Sequence, residues 1–513
     1  MNLNLKHKVV KGEINIKLIL VGVIGLFLAL LIGTTVGSGE VKEAYIYILM
    51  VVGSMIMVTM RQSYWLFIPF AMVGDLPAVP LGGLSLKMGE AWLFLSLVFL
   101  TLHTVTLRKL PNLYYKGMSP LYAYVIWVGI IFIMNPVGLS SLGAGSGGFR
   151  FYLKIGLSLL AALILLNQEI TDERAKKMMK YLVIGVALNT AWSIASVFFP
   201  VLSFLAGRSA TNADGFYTWQ QNLVVLPNIL VIMMVARYPL RTWFRVDKSW
   251  LLLVFVICMA MGFASGKRSL TMLILIYPIL GSIVRKQFFD VFIAGTLAFT
   301  IIAFAVVGHG SAFTLPKQAQ RVLSIIPAVE LDGDVEASSE NGFRETLNRY
   351  ALEEIKERPI LGEGLQVDFD LLYDLYDNPG HQLQEGDHYL GLTYSANSNW
   401  HNTWLGISAD FGIPAAVIWA WLVLALIFGG LKTCKRLDPR DWRYTILMFI
   451  VLWTIGDLLR SWQFGHSAVN LWQVGWRIGI YVAIRRSLDF APIIDEEVEE
   501  VEEVEEEKES ALS

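Results

Sequence analysis

Charge is what this chain has least of. Only 16% of its 513 residues are Asp, Glu, Lys or Arg, while 55% are hydrophobic. A soluble chain carries charge on about a quarter of its residues, so a soluble globular protein is excluded. Cysteine is almost absent. Cys258 and Cys434 fall in a predicted span and a predicted cytoplasmic loop, which rules out a disulfide framework. The chain has no phosphate-binding loop, no zinc-ligand spacing and no nucleophile elbow, so nucleotide, metal and serine-hydrolase chemistry have no motif to rest on. It also lacks an internal repeat, which leaves an inverted-repeat transporter without support. Net charge is near zero and selects no partner; nucleic acid is not expected to be one.

What is present is apolar sequence in runs of about twenty residues, the length that crosses hydrocarbon as a helix. Mean hydropathy is +0.54. The 16 Trp and 19 Tyr suit membrane interfaces, where amphipathic rings settle. The expected fold is all-α and polytopic, with about fourteen transmembrane helices. They are placed near 16–36, 43–60, 63–79, 91–107, 119–136, 151–167, 181–200, 222–236, 249–265, 269–284, 289–308, 403–429, 443–459 and 467–484. The third is the weakest, because Pro69, Pro77 and Pro80 interrupt it. The first follows Lys6, Lys8 and Lys11 and resembles a signal peptide, but its apolar core is too long; an uncleaved first helix is expected.

Lysine and arginine set the orientation. With the N-terminus in the cytoplasm, "RKLPNLYYKG", "DERAKKMMK", "RYPLRTWFRVDK", "RKQFF" and "KTCKRLDPRDWR" all lie inside, and the short outer loops hold few basic residues. The C-terminus is then also cytoplasmic, with Arg485 and Arg486 after the last span. The tail 487–513 is acidic and low in complexity, which reads as a solvated, disordered segment. The expected organisation is 1–308 with eleven spans, 309–402 as a large outer loop, 403–486 with three spans, then the tail.

The outer loop is far longer than an ordinary connection, and part of it is helical. In "NGFRETLNRYALEEIKERPILGEG", Phe343, Leu347, Ala351 and Ile355 recur at four-residue spacing. Ser339 or Asn341 caps the start, and Pro359 with Gly362 ends it. Glu345–Arg349 and Arg349–Glu353 are i,i+4 pairs. The loop is expected to be an ordered cap over the outer face.

Lys267 and Arg268 sit in a hairpin between two spans on the outer side, against the positive-inside bias. They either snorkel to lipid phosphates or clamp a phosphate, for which guanidinium geometry is suited. Arg344, at the start of the loop helix, and Arg321 carry the same choice between a solvated cation and an anion ligand. His401 and Asn402 abut the twelfth span. An imidazole there is either structural or takes a proton near neutral pH; Asn402 is placed to cap the helix. Asp368, Asp370, Asp374 and Asp377 form a solvated acidic surface, preferred over a metal site because nucleotide sugars are scarce outside the cell. Asp410 and Asp457 fall inside spans and must face protein or water; Asp457 and Arg460 are spaced to pair.

Taken in order, these residues resemble a known family. Arg344 opens a helix, Pro359, Gly362 and Gly364 form a turn, and His401-Asn402 precedes a span. That module resembles the O-antigen ligase and O-antigen polymerase superfamily, and "SGKRS" resembles its earlier outer arginine at Arg268. The similarity covers residues 260–430. Glu363 departs at a position usually apolar, and Pro414 stands where a second Gly is common.

The resemblance implies a GT-C-like membrane glycosyltransferase of the bacterial inner membrane, using neither metal nor cofactor. The implied donor is a glycan on undecaprenyl diphosphate, and the implied acceptor is lipid A core or another glycan. Arg268, Arg344 and His401 would be catalytic, and Arg321, Lys267 and Asn402 would bind substrate. Membrane lipids would complete the partners. A polymerase of the same superfamily, a polytopic transporter and a scaffold are the rival readings.

Overall fold

The computed structural model describes residues 61–73, 78–81, 84–87, 90, 92–98, 111–137, 148–198, 223–309, 311–323, 341–365, 400, 402–462 and 467–490. The first two predicted spans, His401, the aspartates of 368–377 and the acidic tail from 491 on lie outside the described residues.

The described chain is almost wholly helical. A 3₁₀ segment Arg61–Phe67 leads into a short helix α1 (Ile68–Val73), then an antiparallel hairpin of β1 (Ala78–Leu81) and β2 (Leu84–Lys87). This region replaces a continuous third span. Pro80 cannot donate to a helical ladder, but it fits a two-stranded edge opposite Ser85. From residue 119 on, every predicted span has its helix: α2 (Ser119–Met134), α3 (Phe149–Leu166), α4 (Asp172–Phe198), α5 (Val225–Arg237), α6 (Trp250–Ser265), α7 (Arg268–Val284) and α8 (Phe288–Gly308). A short α9 (Lys317–Leu323) and the loop helix α10 (Asn341–Glu357) follow, then α11 (Thr403–Cys434), α12 (Trp442–Arg460) and α13 (Ser467–Asp489). Cys434 therefore ends a helix instead of lying in a loop; it and Cys258 are free and buried.

Five of these helices are long and apolar enough to cross a membrane, and α2, α5, α6 and α7 are shorter apolar helices. The chain is a helical membrane protein. Its apolar surface follows: on α8 the side chains of Phe288, Phe289, Phe292, Phe299 and Phe304 are all exposed, as lipid-facing residues must be. Inside, small residues let helices approach. A Cβ at Gly475 of α13 would fall 1.9 Å from the Ser158 carbonyl oxygen of α3, and one at Gly479 2.8 Å from Leu165 Cβ.

One face of the molecule is basic. Arg237 Nη1 donates to the Arg440 carbonyl at 2.6 Å, Arg285 Nη2 to the Ala236 carbonyl at 2.6 Å, and Arg174 Nη1 to the Glu169 carbonyl at 2.8 Å. Arg285 thereby satisfies a last-turn carbonyl of α5 and matches the negative end of its dipole, while Arg237 and Arg174 hold carbonyls of the connections. Away from these arginines, the α6–α7 turn packs on α9, and α10, the mouth of α11 and the last turn of α12 pack together.

Candidate functional site

The sequence places Lys267 and Arg268 at the tip of the α6–α7 hairpin. Gly266 closes α6 in the left-handed region (φ 69°). Ser265 Oγ and Thr271 Oγ1 both donate to the Gly262 carbonyl, at 2.6 and 2.8 Å, and the Lys267 amide donates to Ser265 Oγ at 3.2 Å. This tip is stitched, not loose. Arg268 occupies the first turn of α7, the positive end of its dipole, where a cation is disfavoured. Helix stability therefore does not explain it. The tip packs on α9, with Gly266 facing Gln318, so Lys267 and Arg268 share one corner with the helix that carries Arg321.

The second part of the site is a clasp between the 359–364 turn and a break in α11. Gly412 interrupts α11 with φ 80° and ψ 163°. Pro414 has no N–H for the carbonyl of Asp410, four residues back; that carbonyl instead accepts from the Gly364 amide at 2.8 Å. The Ala409 carbonyl accepts from the Glu363 amide at 2.9 Å, and the Ile413 amide donates to the Pro359 carbonyl at 2.8 Å. Trp127 Nε1 donates to the freed Phe411 carbonyl at 2.8 Å. Each backbone group released by the break thus has a partner. The departure at Pro414 is part of this join. Gly362 (φ 63°) and Gly364 (φ 81°) make the turn possible, and a Cβ on Gly362 would meet the Asp410 backbone at 2.6 Å.

The clasp fixes α10 over the mouth of α11. Leu347 and Ala351 of α10 bury with Trp400 and Ala409. Arg344 begins α10 one turn before Leu347, and Trp400 immediately precedes His401. Trp400 Nε1 donates to Asp410 Oδ1 at 2.8 Å, while Asp410 Oδ2 is buried with no hydrogen-bond partner among the described residues. Glu354 hydrogen-bonds Glu363, and its carboxyl is pushed up to about 7 by burial first and by the Glu363 and Glu357 charges next; Arg358 opposes the shift.

Asn402 caps α11 as expected. Its Oδ1 accepts from the amides of Trp404 and Leu405 at 3.0 and 3.2 Å, and its Nδ2 donates to the Trp462 carbonyl at 3.2 Å. The Thr403 amide donates to the Ser461 carbonyl at 3.0 Å, and Trp404 Nε1 to Ser461 Oγ at 2.7 Å. The mouth of α11 is thereby tied to the end of α12. The expected Asp457–Arg460 pair forms at 3.0 Å. A second cation escaped sequence reasoning: Arg477 of α13 reaches the same carboxylate at 2.7 Å. A lone arginine within an apolar run was the signal for it.

The class that the fold defines is a many-helix membrane protein with an ordered helix clasped over one broken span. Within that class, the O-antigen ligase family model (Wzy_C) matches residues 253–420. That stretch, from α6 through the first half of α11, is similar to the O-antigen ligase family. A search of the curated proteins matched none.

Proposed function

We propose that the chain moves a glycan from undecaprenyl diphosphate to an acceptor hydroxyl on the outer face of the bacterial inner membrane, with inversion and without a metal. The acceptor oxygen attacks the anomeric carbon, and the carbon–oxygen bond to the diphosphate breaks with its electron pair leaving on the diphosphate. Arg268 and Arg344, with Arg321 and Lys267, hold that departing charge. A preorganised donor of this kind is worth ~3 kcal/mol. His401 orients the acceptor and takes its proton, worth about 10²–10⁴-fold, and Asn402 fixes the helix end beside it. In this reading 309–402 is the cap under which donor and acceptor meet. The basic face with Arg237, Arg285 and Arg440 is cytoplasmic, as are both termini.

The observation that carries the reading is the clasp: Gly364 to Asp410, Glu363 to Ala409 and Ile413 to Pro359 hold α10, the helix that begins just before Arg344, against the mouth of α11 that Asn402 caps. The test is transfer from a defined undecaprenyl-linked glycan by purified protein carrying Arg268→Ala, Arg344→Ala or His401→Ala. Each should lose about 100-fold or more. Undiminished transfer in all three removes the assignment. Offering lipid A core in parallel with a lipid-linked repeat unit separates ligase from polymerase.

A further inference from the structure

The last helix leaves the bundle at a corner rich in cations. α13 ends at Asp489, and its last turn is held from two sides. Arg436, just past the end of α11, pairs with Asp489 Oδ1 through Nη1 and donates from Nη2 to the Leu488 carbonyl at 3.0 Å. Tyr115, in the stretch before α2, donates its hydroxyl to Asp489 Oδ2, and its ring lies 6.3 Å from that of Phe490. Gly117 brings that stretch against α13: a Cβ there would meet Tyr481 at 3.1 Å and Val482 at 3.2 Å. The end of α11 approaches α13 in the same way, since a Cβ at Gly429 would fall 2.3 Å from the Tyr481 hydroxyl.

These three elements carry six cations, Lys116, Lys432, Lys435, Arg436, Arg485 and Arg486, against the carboxylates of Asp438 and Asp489. Asp438 is turned to its own connection, where it accepts from the Arg440 amide at 2.7 Å. Asp489 is shared by Arg436 and, at 3.8 Å, Arg485. Lys116, Lys432 and Lys435 are exposed and have no ion-pair partner among the described residues. Arg486 Nη1 is buried without a hydrogen-bond partner among them. Lys432 stands between Gly429 and Arg436 on the α11 face that meets α13, because residues three and four apart share a face. A basic rim and cations in a last helical turn are ordinary. The position of Asp489 is not: it lies at the negative end of the α13 dipole, where a carboxylate is disfavoured. The cations of the corner hold it there.

The sequence that follows α13 carries the matching charge. Residues 495–509, DEEVEEVEEVEEEKE, hold eleven carboxylates and one lysine. Read alone, such a run is a solvated segment, because like charges repel. Its point of departure gives it a surface. Asp495 comes six residues after Asp489, within ~20 Å of it by chain length. So short a tether holds the run near the corner at an effective concentration on the order of millimolar. We propose that residues 495–509 dock on this corner of their own chain, with their carboxylates on Lys116, Lys432, Lys435 and Arg486, extending the contact that Asp489 makes with Arg436. The surface does not rest on the glycosyl-transfer reading. It is also independent of sidedness, since run and corner lie at the same end of α13.

The test is the mobility of a nitroxide on Val501→Cys, read by electron paramagnetic resonance on the full chain, one copy per nanodisc of neutral phosphatidylcholine. Cys258 and Cys434 are buried, so the label goes to the new site. At an ionic strength of about 0.01 M, where charges act over ~30 Å, a slow component should dominate; at about 1 M, where they act over ~3 Å, it should be lost. Lys432→Glu with Lys435→Glu should free the label at low salt, shifting the ratio of docked to free about tenfold, the sum of a few exposed ion pairs. Glu499→Gln, Glu500→Gln, Glu502→Gln and Glu503→Gln together should do the same while leaving every described residue unchanged. Arg241→Glu with Arg245→Glu makes the same change of charge on the α5–α6 connection and should leave the label slow. A label that is fast at low salt in Val501→Cys alone overturns the proposal. So does a slow label indifferent to the Lys432 and Lys435 reversals, or one freed equally by the Arg241 and Arg245 reversals. A slow label seen only with two copies per disc also overturns it, by giving the run to a second chain.

Discussion

Gly412 is where a single methyl group would cost most. Its φ of 80° is one that side chains rarely adopt, and a Cβ there would sit 1.9 Å from the Ile360 carbonyl oxygen. Gly412→Ala should lower stability by about 2–4 kcal/mol, the sum of strain and a forced backbone shift. Gly295→Ala, whose Cβ would meet nothing within 4 Å, is the control, and thermal unfolding in detergent measures both. Glu354 offers a different residue-scale test. Its carboxyl stands at about 7 in the fold against an ordinary 4.5, so the folded chain binds the proton more tightly than the unfolded one. Stability from this group is full below the ordinary value and is lost as pH rises toward 7. Glu354→Gln should therefore flatten the stability profile between those limits and raise the melting temperature at pH 8, but not at pH 4. These residues also show what sequence can and cannot carry. Pro359, Gly362 and Gly364 mark their turn because backbone geometry restricts residue type locally. The Glu354–Glu363 contact and Arg477 leave no such mark, since each depends on a partner that only the folded chain brings near.

At the scale of elements, α11 is two helices joined by a break, and the break is held from three directions. Its first half is clasped by the loop turn, its N-cap is tied to α12, and Trp127 of α2 takes the freed Phe411 carbonyl at 2.8 Å. Trp127→Phe keeps the ring and removes that donor. Leaving a buried carbonyl unmatched should cost about 1–3 kcal/mol, while Trp421→Phe, at an exposed position on α11, should cost nothing measurable. The apolar period of α10 and the Asn402 cap were readable in advance, and both are found. The break was not: Gly412 and Pro414 in an apolar run signal a kink, but which carbonyls it frees and what meets them depends on the 359–364 turn. The third predicted span failed as a single helix for the same reason its prolines gave warning, and only the fold shows that a hairpin takes its place.

For the whole molecule, sidedness is the property on which every functional statement depends. Hydropathy located the apolar helices from Ser119 to Asp489 within a few residues, apart from the extra turns at the start of α4 and the ends of α11 and α13, because burial in hydrocarbon demands length and composition and little else. The gathering of Arg237, Arg285 and Arg440 on one face follows the loop charges already visible in the chain. The native cysteines are both buried, which leaves a low background for labelling with a membrane-impermeant maleimide. Val246, 94% exposed in the α5–α6 connection, belongs to the basic face; Ser311, exposed just after α8, belongs to the other. In intact spheroplasts Ser311→Cys should label at once, and Val246→Cys only after permeabilisation. The converse result would put the Arg268 tip and the mouth of α11 in the cytoplasm, where a polyprenyl-linked glycan destined for export has not yet been presented for transfer, and the glycosyl-transfer assignment would fall with it.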